Sequence, residues 1–277
     1  MSHLSRPGAL FLAGFALHVL APFSCSAAAP APLWQDEFNT DGPPDPAKWD
    51  YERGFVRNEE LQWYQPENAV CKGGFLVIEA RREKKPNPEY KAGGSGWKNR
   101  PEIEVTSACL ITKGKREFQY GRFEMRARID TRLGSWPAFW TLGVNREWPS
   151  NGEIDIMEYY RNILLANVAW GTDQRWKAKW DSVRTPLEKL GGPEWSRQFH
   201  VWRMDWDEEA IRLSVDDRLL NETLLKDAVN PDGFCPFRQP HYLLLNQAIG
   251  GQSGGDPSKL EYPVRFEVDW VRVYPRP

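Results

Sequence analysis

Apolar residues recur at every second position through much of the chain. In residues 75–83, FLVIEARRE, the side chains of Leu76, Ile78 and Ala80 fall on one face, and in 121–129, GRFEMRARI, Phe123, Met125, Ala127 and Ile129 do the same. A period of two is that of a half-buried strand, not of a helix. Residues 209–222 predict a hairpin, with Ile211, Leu213 and Val215 alternating ahead of an Asp216-Asp217 turn, and 262–274 predict a long final strand. Only 184–199 has helical character, and Gly191, Gly192 and Pro193 cut it short. Strands separated by polar turns, with no linker and no internal repeat, predict a single all-β domain of two packed antiparallel sheets.

The first residues follow another rule. His3 and Arg6 precede an apolar run from Ala9 to Phe23 and then a cluster of small residues, the order of a secretory signal peptide spanning 1–27, with the domain at 28–277. His18 and Pro22 interrupt the run, which is also short for a membrane span. Cys25 offers the alternative of a lipoprotein anchor, although Pro22, Phe23 and Ser24 match that signal poorly. Loss of 1–27 removes Arg6 and no acid, so the formal charge of −2 becomes −3. So small a charge gives no electrostatic footprint for nucleic acid. Cys71, Cys109 and Cys235 then leave an odd count with no CxxC spacing. A disulfide plus a free thiol fits that count, with the pairing open. With only His200 and His241 as imidazoles, a zinc site is not indicated. The 14 Trp, 9 Tyr and 13 Phe either fill a core or offer flat faces to sugar rings, and their placement must decide.

Residues 151–160, NGEIDIMEYY, pose a sharper question, because Glu153, Asp155 and Glu158 sit in an otherwise apolar strand. Regular alternation would place Glu153 and Asp155 on one face and bury Glu158 on the other. A β-bulge near Ile156 or Met157 restores the parity and turns all three acids toward an open cleft. The Cα atoms of Glu153 and Glu158 would then lie four steps apart, roughly 13 Å, bringing their carboxyls to roughly 5–6 Å. That gap suits a retaining glycosidase better than an inverting one. Acids on a solvated face or an oxygen cluster for Ca²⁺ are the competing readings. Trp136, Phe139, Trp140, Trp148, Tyr159 and Tyr160 close by weaken the first, and the apolar strand setting weakens the second.

At these residues the chain resembles glycoside hydrolase family 16, whose Glu-x-Asp-x-x-Glu signature is matched by EIDIME. The resemblance extends in order through LWQDEFN (33–39), RNEELQWYQPENAVCKGGFLVIEARRE (57–83), YGRFEMRARI (120–129), GSWPAFWTLG (134–143), FHVWRMDWDEEAIRLSVDD (199–217) and NQAIGGQSGGDPSKLEYPVRFEVDWVRVY (246–274). It implies a β-jelly-roll sandwich with a concave substrate cleft, retaining hydrolysis of an internal β-glycosidic bond, and no cofactor in the chemistry. It implies Glu153 as nucleophile, Asp155 as its assistant and Glu158 as acid/base. Trp136 and Trp140, which share a face of a strand, match cleft tryptophans, and Asn58 matches a sugar-contacting asparagine. Trp148 and Gln247 are further candidates for substrate contact. A structural Ca²⁺ on the convex face is implied near Glu37 and Asp269, though neither shows metal binding by its own spacing.

Within the family the pattern resembles the laminarinase-like members first and the endo-β-galactosidases second. A secreted, monomeric laminarinase-like endo-β-1,3-glucanase is therefore the leading expectation, and an endo-β-1,4-galactosidase acting on host glycans such as mucin O-glycans the alternative. The alternative draws on ANVAWG (166–171), where Ala169 replaces a cleft histidine, and on Gln247, which could read a substrate hydroxyl. Residues 172–195 read as a loop walling one end of the cleft, with Arg175, Lys177 and Lys179 as a solvated basic face or as contacts to an acidic glycan. A non-catalytic sugar-binding sandwich is the rival from another class, disfavoured because both glutamates are kept. A transglycosylase would use the same acids.

Overall fold

The computed structural model describes residues 1–3 and 30–276. The signal-peptide reading of 1–27, its boundary and Cys25 thus lie outside the described residues. Among the described residues seventeen strands follow in chain order. The first eight are β1 (Trp34–Asp36), β2 (Asp50–Tyr51), β3 (Gln62–Tyr64), β4 (Ala69–Lys72), β5 (Phe75–Pro86), β6 (Glu102–Ser107), β7 (Cys109–Ile111) and β8 (Gly121–Ile129). Then come β9 (Ser135–Gly143), β10 (Glu153–Tyr160), β11 (Ile163–Gly171), β12 (Ala178–Pro186), β13 (His200–Trp206), β14 (Ala210–Val215), β15 (Arg218–Leu224), β16 (His241–Ile249) and β17 (Val264–Tyr274).

Ten strands form one sheet in the order β15-β14-β13-β8-β17-β5-β6-β3, with β1 added on β17 and β4 on β5. Seven form the other, β12-β11-β10-β9-β16-β7-β2. Pairing is antiparallel except between β3 and β6, which run parallel. These are the two packed sheets that the alternation predicts, in the jelly-roll sandwich that the family resemblance implies.

The alternating residues do what their period requires. Leu76, Ile78, Phe123, Met125, Trp202 and Met204 from the larger sheet meet Phe139, Ile154, Met157, Leu243 and Leu245 from the smaller in one continuous core. Burying such a side chain contributes about 1.5–3 kcal/mol, which fixes the register of each strand, since a one-residue slip would turn its apolar set to water. The 209–222 hairpin forms as β14 and β15, and Asp216 and Asp217 both take positive φ, 47° and 64°. That is the backbone twist a two-residue hairpin turn needs, and Asp tolerates it.

Three expectations are corrected. Residues 184–199 are not a helix of any length: β12 runs to Pro186, a 3₁₀ turn covers Leu187–Leu190, and the α-helical part is only Pro193–Ser196. The middle of 172–195, Ala178–Pro186, is therefore a strand pairing with β11 and not a loop. Cys71, Cys109 and Cys235 are all free thiols, so no disulfide joins them.

The calcium expectation meets a chemical obstacle. Arg272 donates to both carboxylate oxygens of Glu37, at 2.7 and 2.8 Å, and Asp269 is ion-paired with Arg126. A carboxylate already neutralised by a guanidinium is a poor cation ligand, and among the described residues no three His, Cys, Asp or Glu side chains gather as a metal site. The residues do not fit the ion. Among the described residues, no helix is long and apolar enough to cross a membrane.

Candidate active site

The seven-stranded sheet carries a cleft of about 590 Å³ on the face away from the core. Its centre is β10. Opposite β9, Asp155 pairs with Trp140 and Met157 with Phe139, so Ile156 is the extra residue of a bulge. Ile154, Ile156 and Met157 are all buried in the core, while Glu153, Asp155 and Glu158 line the cleft. The cross-strand partners of Glu153 and Glu158 are Leu142 and Ala138 on β9, and Ala169 and Leu165 on β11. Both pairs are four residues apart, so the bulge absorbs one position, as the spacing of the acids predicts.

Each acid has a separate polar partner. Trp148 donates its indole N–H to Glu153 Oε2 at 2.7 Å, and Trp136 donates to Glu158 Oε1 at 2.8 Å. Asn167 on β11 donates its amide to Asp155 Oδ2 at 3.0 Å and to Glu158 Oε2 at 3.1 Å. Among the described residues no cation forms an ion pair with any of the three. Burial is thus the largest influence on their titration, and it disfavours charge. It raises Asp155 to about 6. Burial, followed by the negative charge of Asp155, raises Glu158 to about 8. Glu153 is pushed well above the usual carboxylate range by burial and then by Asp155 and Glu158, with the Trp148 hydrogen bond opposing. The three share protons as a set. Near neutrality Glu158 therefore keeps its proton, as a general acid must, and Asp155 is placed to hold or release one beside Glu153.

The other predicted contacts divide. Trp136, Trp140, Trp148 and Asn58 line the cleft. Trp140 donates to Asn246 Oδ1 at 2.7 Å and lies 5.0 Å under the Arg57 guanidinium. Asn58, at φ 53°, reaches the buried carboxylate of Glu60 at 3.3 Å. Gln247 does not line the cleft: it is fully buried, and its amide donates to Ser135 Oγ at 3.0 Å and to the Ala248 carbonyl at 2.9 Å. On β16 the cleft face belongs to Asn246, because Leu243 and Leu245, of the same parity as Gln247, point into the core.

Sequence reasoning missed Arg57, Glu60, Asn167 and Asn246, and Ser182 and Arg184 on β12, whereas Trp180 lies in the segment expected to wall the cleft. Strand parity could have found Asn167: it pairs with Asp155, so its side chain shares the acids' face. Conversely, the basic residues singled out earlier are engaged elsewhere. Arg175 is bound to Glu147 and Lys179 sits 5.1 Å over the Trp170 ring. Neither histidine lines the cleft. His241 is held neutral, its pKa lowered to about 4 by burial, between Thr141 and the Pro236 carbonyl.

Comparison with known proteins agrees with this geometry. Residues 97–272 match the model of the family described as glycosyl hydrolases family 16. The β-glucanase of Rhodothermus marinus is 38% identical over 267 aligned residues, covering 87% of this chain and 84% of that protein. A solved structure from work on endo-acting O-glycanases of the human gut microbiota that initiate mucin breakdown superposes with a TM-score of 0.81 at 34% identity, covering 90% of this chain and 92% of the other. The catalytic domain of an endo-1,3-β-glucanase (laminarinase) from Thermotoga petrophila superposes with a TM-score of 0.76 at 31% identity, covering 90% and 98%.

Proposed function

Because this chain belongs to glycosyl hydrolase family 16, we propose that it is a secreted, retaining endo-β-glycosidase. The bulge that turns three buried carboxylates into one cleft is the observation that carries the reading. In the first step Glu153 attacks the anomeric carbon while Glu158 gives its proton to the departing glycosidic oxygen. A covalent glycosyl ester forms and the aglycone leaves. In the second step Glu158, now a carboxylate, takes a proton from water as its oxygen attacks the same carbon, releasing Glu153. Asp155 accepts the shifting charge between them, and Asn167 couples it to Glu158. Secretion rests on the signal-like order of residues 1–27.

For the substrate, two readings have support. A β-1,3-glucan follows from the β-glucanase and laminarinase relatives. We favour a β-galactosidic linkage in a host-type glycan, because of one row of residues across the sheet. Glu153 pairs with Ala169, and Ala169 with Trp180. Ala169 is small and fully buried in this row, so no larger side chain projects between Glu153 and the indole of Trp180. Galactose, with its axial 4-hydroxyl, presents an apolar C–H face that stacks on such an indole. The O-glycanase likeness supports the same reading. Gln247, buried, no longer contributes to it.

The test is product analysis with laminarin, mixed-linkage glucan, poly-N-acetyllactosamine and mucin, using the wild type and the Glu153→Ala and Glu158→Ala variants. Galactose-ended fragments from the host glycans, lost in both variants, are expected. Short gluco-oligosaccharides alone would return the glucan reading, and activity persisting in both variants would overturn the mechanism.

A further inference from the structure

The cleft does not end at β11. On β12 the side chains alternate: Asp181 accepts a hydrogen bond from Thr223 at 2.8 Å and Thr185 is buried, while Trp180, Ser182 and Arg184 face the cleft. The register sets these three in rows with the acids. Trp180 continues the row of Glu153 through Ala169, Ser182 that of Asp155 through Asn167, and Arg184 that of Glu158 through Leu165. Strands lie about 4.8 Å apart, so β12 stands about 10 Å from the acids, within a sugar unit or two of the bond being cut.

Arg184 is unusual among the cleft cations. Arg57, the other arginine in the cleft, is taken up by Glu52. Among the described residues Arg184 forms no ion pair: its contacts are the Tyr160 hydroxyl at 3.5 Å and the Tyr160 ring, 5.8 Å from the guanidinium. An exposed guanidinium on the wall of a sugar cleft, with its planar fork free, matches a sulfate or carboxylate, which it can hold by two parallel hydrogen bonds. Trp180, 45% exposed on the same face, offers the flat surface that holds the sugar ring bearing that anion. We propose that the Trp180, Ser182 and Arg184 face of β12 is a subsite for a sugar unit carrying an anionic substituent, so that the enzyme prefers acidic glycans to their neutral forms. This rests on the glycosidase reading above and extends it to substrate class.

The test uses laminarin and poly-N-acetyllactosamine, each in neutral, sulfated and carboxymethylated form. Two readouts are taken: kcat/KM of the whole chain and of Arg184→Gln and Arg184→Lys, and calorimetric binding of the same glycans on a Glu153→Gln background that does not turn over. Charge-assisted hydrogen bonds of this kind make Arg184→Gln lower the acidic-to-neutral preference about 10- to 100-fold, with Arg184→Lys in between. Raising salt should erode the wild-type preference and leave that of Arg184→Gln flat. Preference for the sulfated or for the carboxymethylated form identifies which anion the fork takes, and either supports the subsite. An equal effect of Arg184→Gln on acidic and neutral glycans would overturn it, showing the arginine to be a counter-charge for the carboxylates. Absence of turnover on every glycan would refute the glycosidase reading, while the binding ratio would still decide the subsite.

Discussion

Asn167 is where a single side chain governs the proton balance of the site. Its amide is the polar link between Asp155 and Glu158, and its own Oδ1 is buried without a partner. Asn167→Leu therefore takes one donor from Asp155 Oδ2 and one from Glu158 Oε2, keeps similar volume, and leaves no donor without its acceptor. A hydrogen bond to a charged group contributes about 1.5–3 kcal/mol, and each pKa unit corresponds to about 1.4 kcal/mol. The lost donation to Asp155 should therefore move the acidic limb of the pH profile up by about one to two units. With Asp155 near 6 and Glu158 near 8, the window in which the first is ionised and the second protonated spans about two units. The second lost donation raises Glu158 in the same direction, so in the variant the window moves to higher pH. The sign is definite: a donor to a carboxylate favours its charged form, so removing it raises the pH needed for ionisation. The assay is kcat/KM against pH from 4 to 10 on a soluble glycan, with the melting temperature as a control for folding. The expected result is a bell displaced upward on both limbs, the acidic limb by about one to two units. A uniform fall at every pH with both limbs unmoved would refute the reasoning, since Asn167 would then be acting through geometry alone.

Two further outcomes follow from the packing. A Cβ on Gly143 would stand 2.0 Å from the Asn151 carbonyl oxygen and 2.3 Å from Gln239 Nε2, in the clasp that holds the loop bearing Trp148. Gly143→Ala should cost about 1–3 kcal/mol, seen in calorimetry as a fall of roughly 2–12 °C, with loss of activity, and an unchanged melting point would contradict the clasp. Since Glu37 and Asp269 are held by arginines, chelator and added Ca²⁺ should leave the melting temperature alike. A site saturated a hundredfold would instead add about 2.7 kcal/mol, or about 5–10 °C, and a shift of that size would reverse the assignment of those carboxylates.

Strands with one wet face announced themselves. β5, β8 and β13 alternate in sequence as they do in burial, and the odd placement of Glu158 was itself the evidence for the bulge. Alternation fails where both faces are covered. β16 is buried along its whole length, so LLLNQAIG carries no parity, and the choice between Asn246 and Gln247 for the cleft could not be made without the neighbouring strand. It fails again on β12, whose even positions meet a polar cleft, so Lys, Asp, Ser and Arg alternate with little apolar signal and the strand passed for a loop. The arginines that claim Glu37 and Asp269 lie 235 and 143 residues away in the chain, a pairing set by sheet order and by no local pattern.

The most direct test of the account is the anomeric form of the first product, followed by proton NMR within the first turnovers on a β-linked oligosaccharide. Attack by Glu153 and then by water inverts the anomeric carbon twice, so the β-anomer should appear first and mutarotate to the equilibrium mixture. The α-anomer appearing first would mean a single displacement by water, and Glu153 would not be the nucleophile that the bulge of β10 presents.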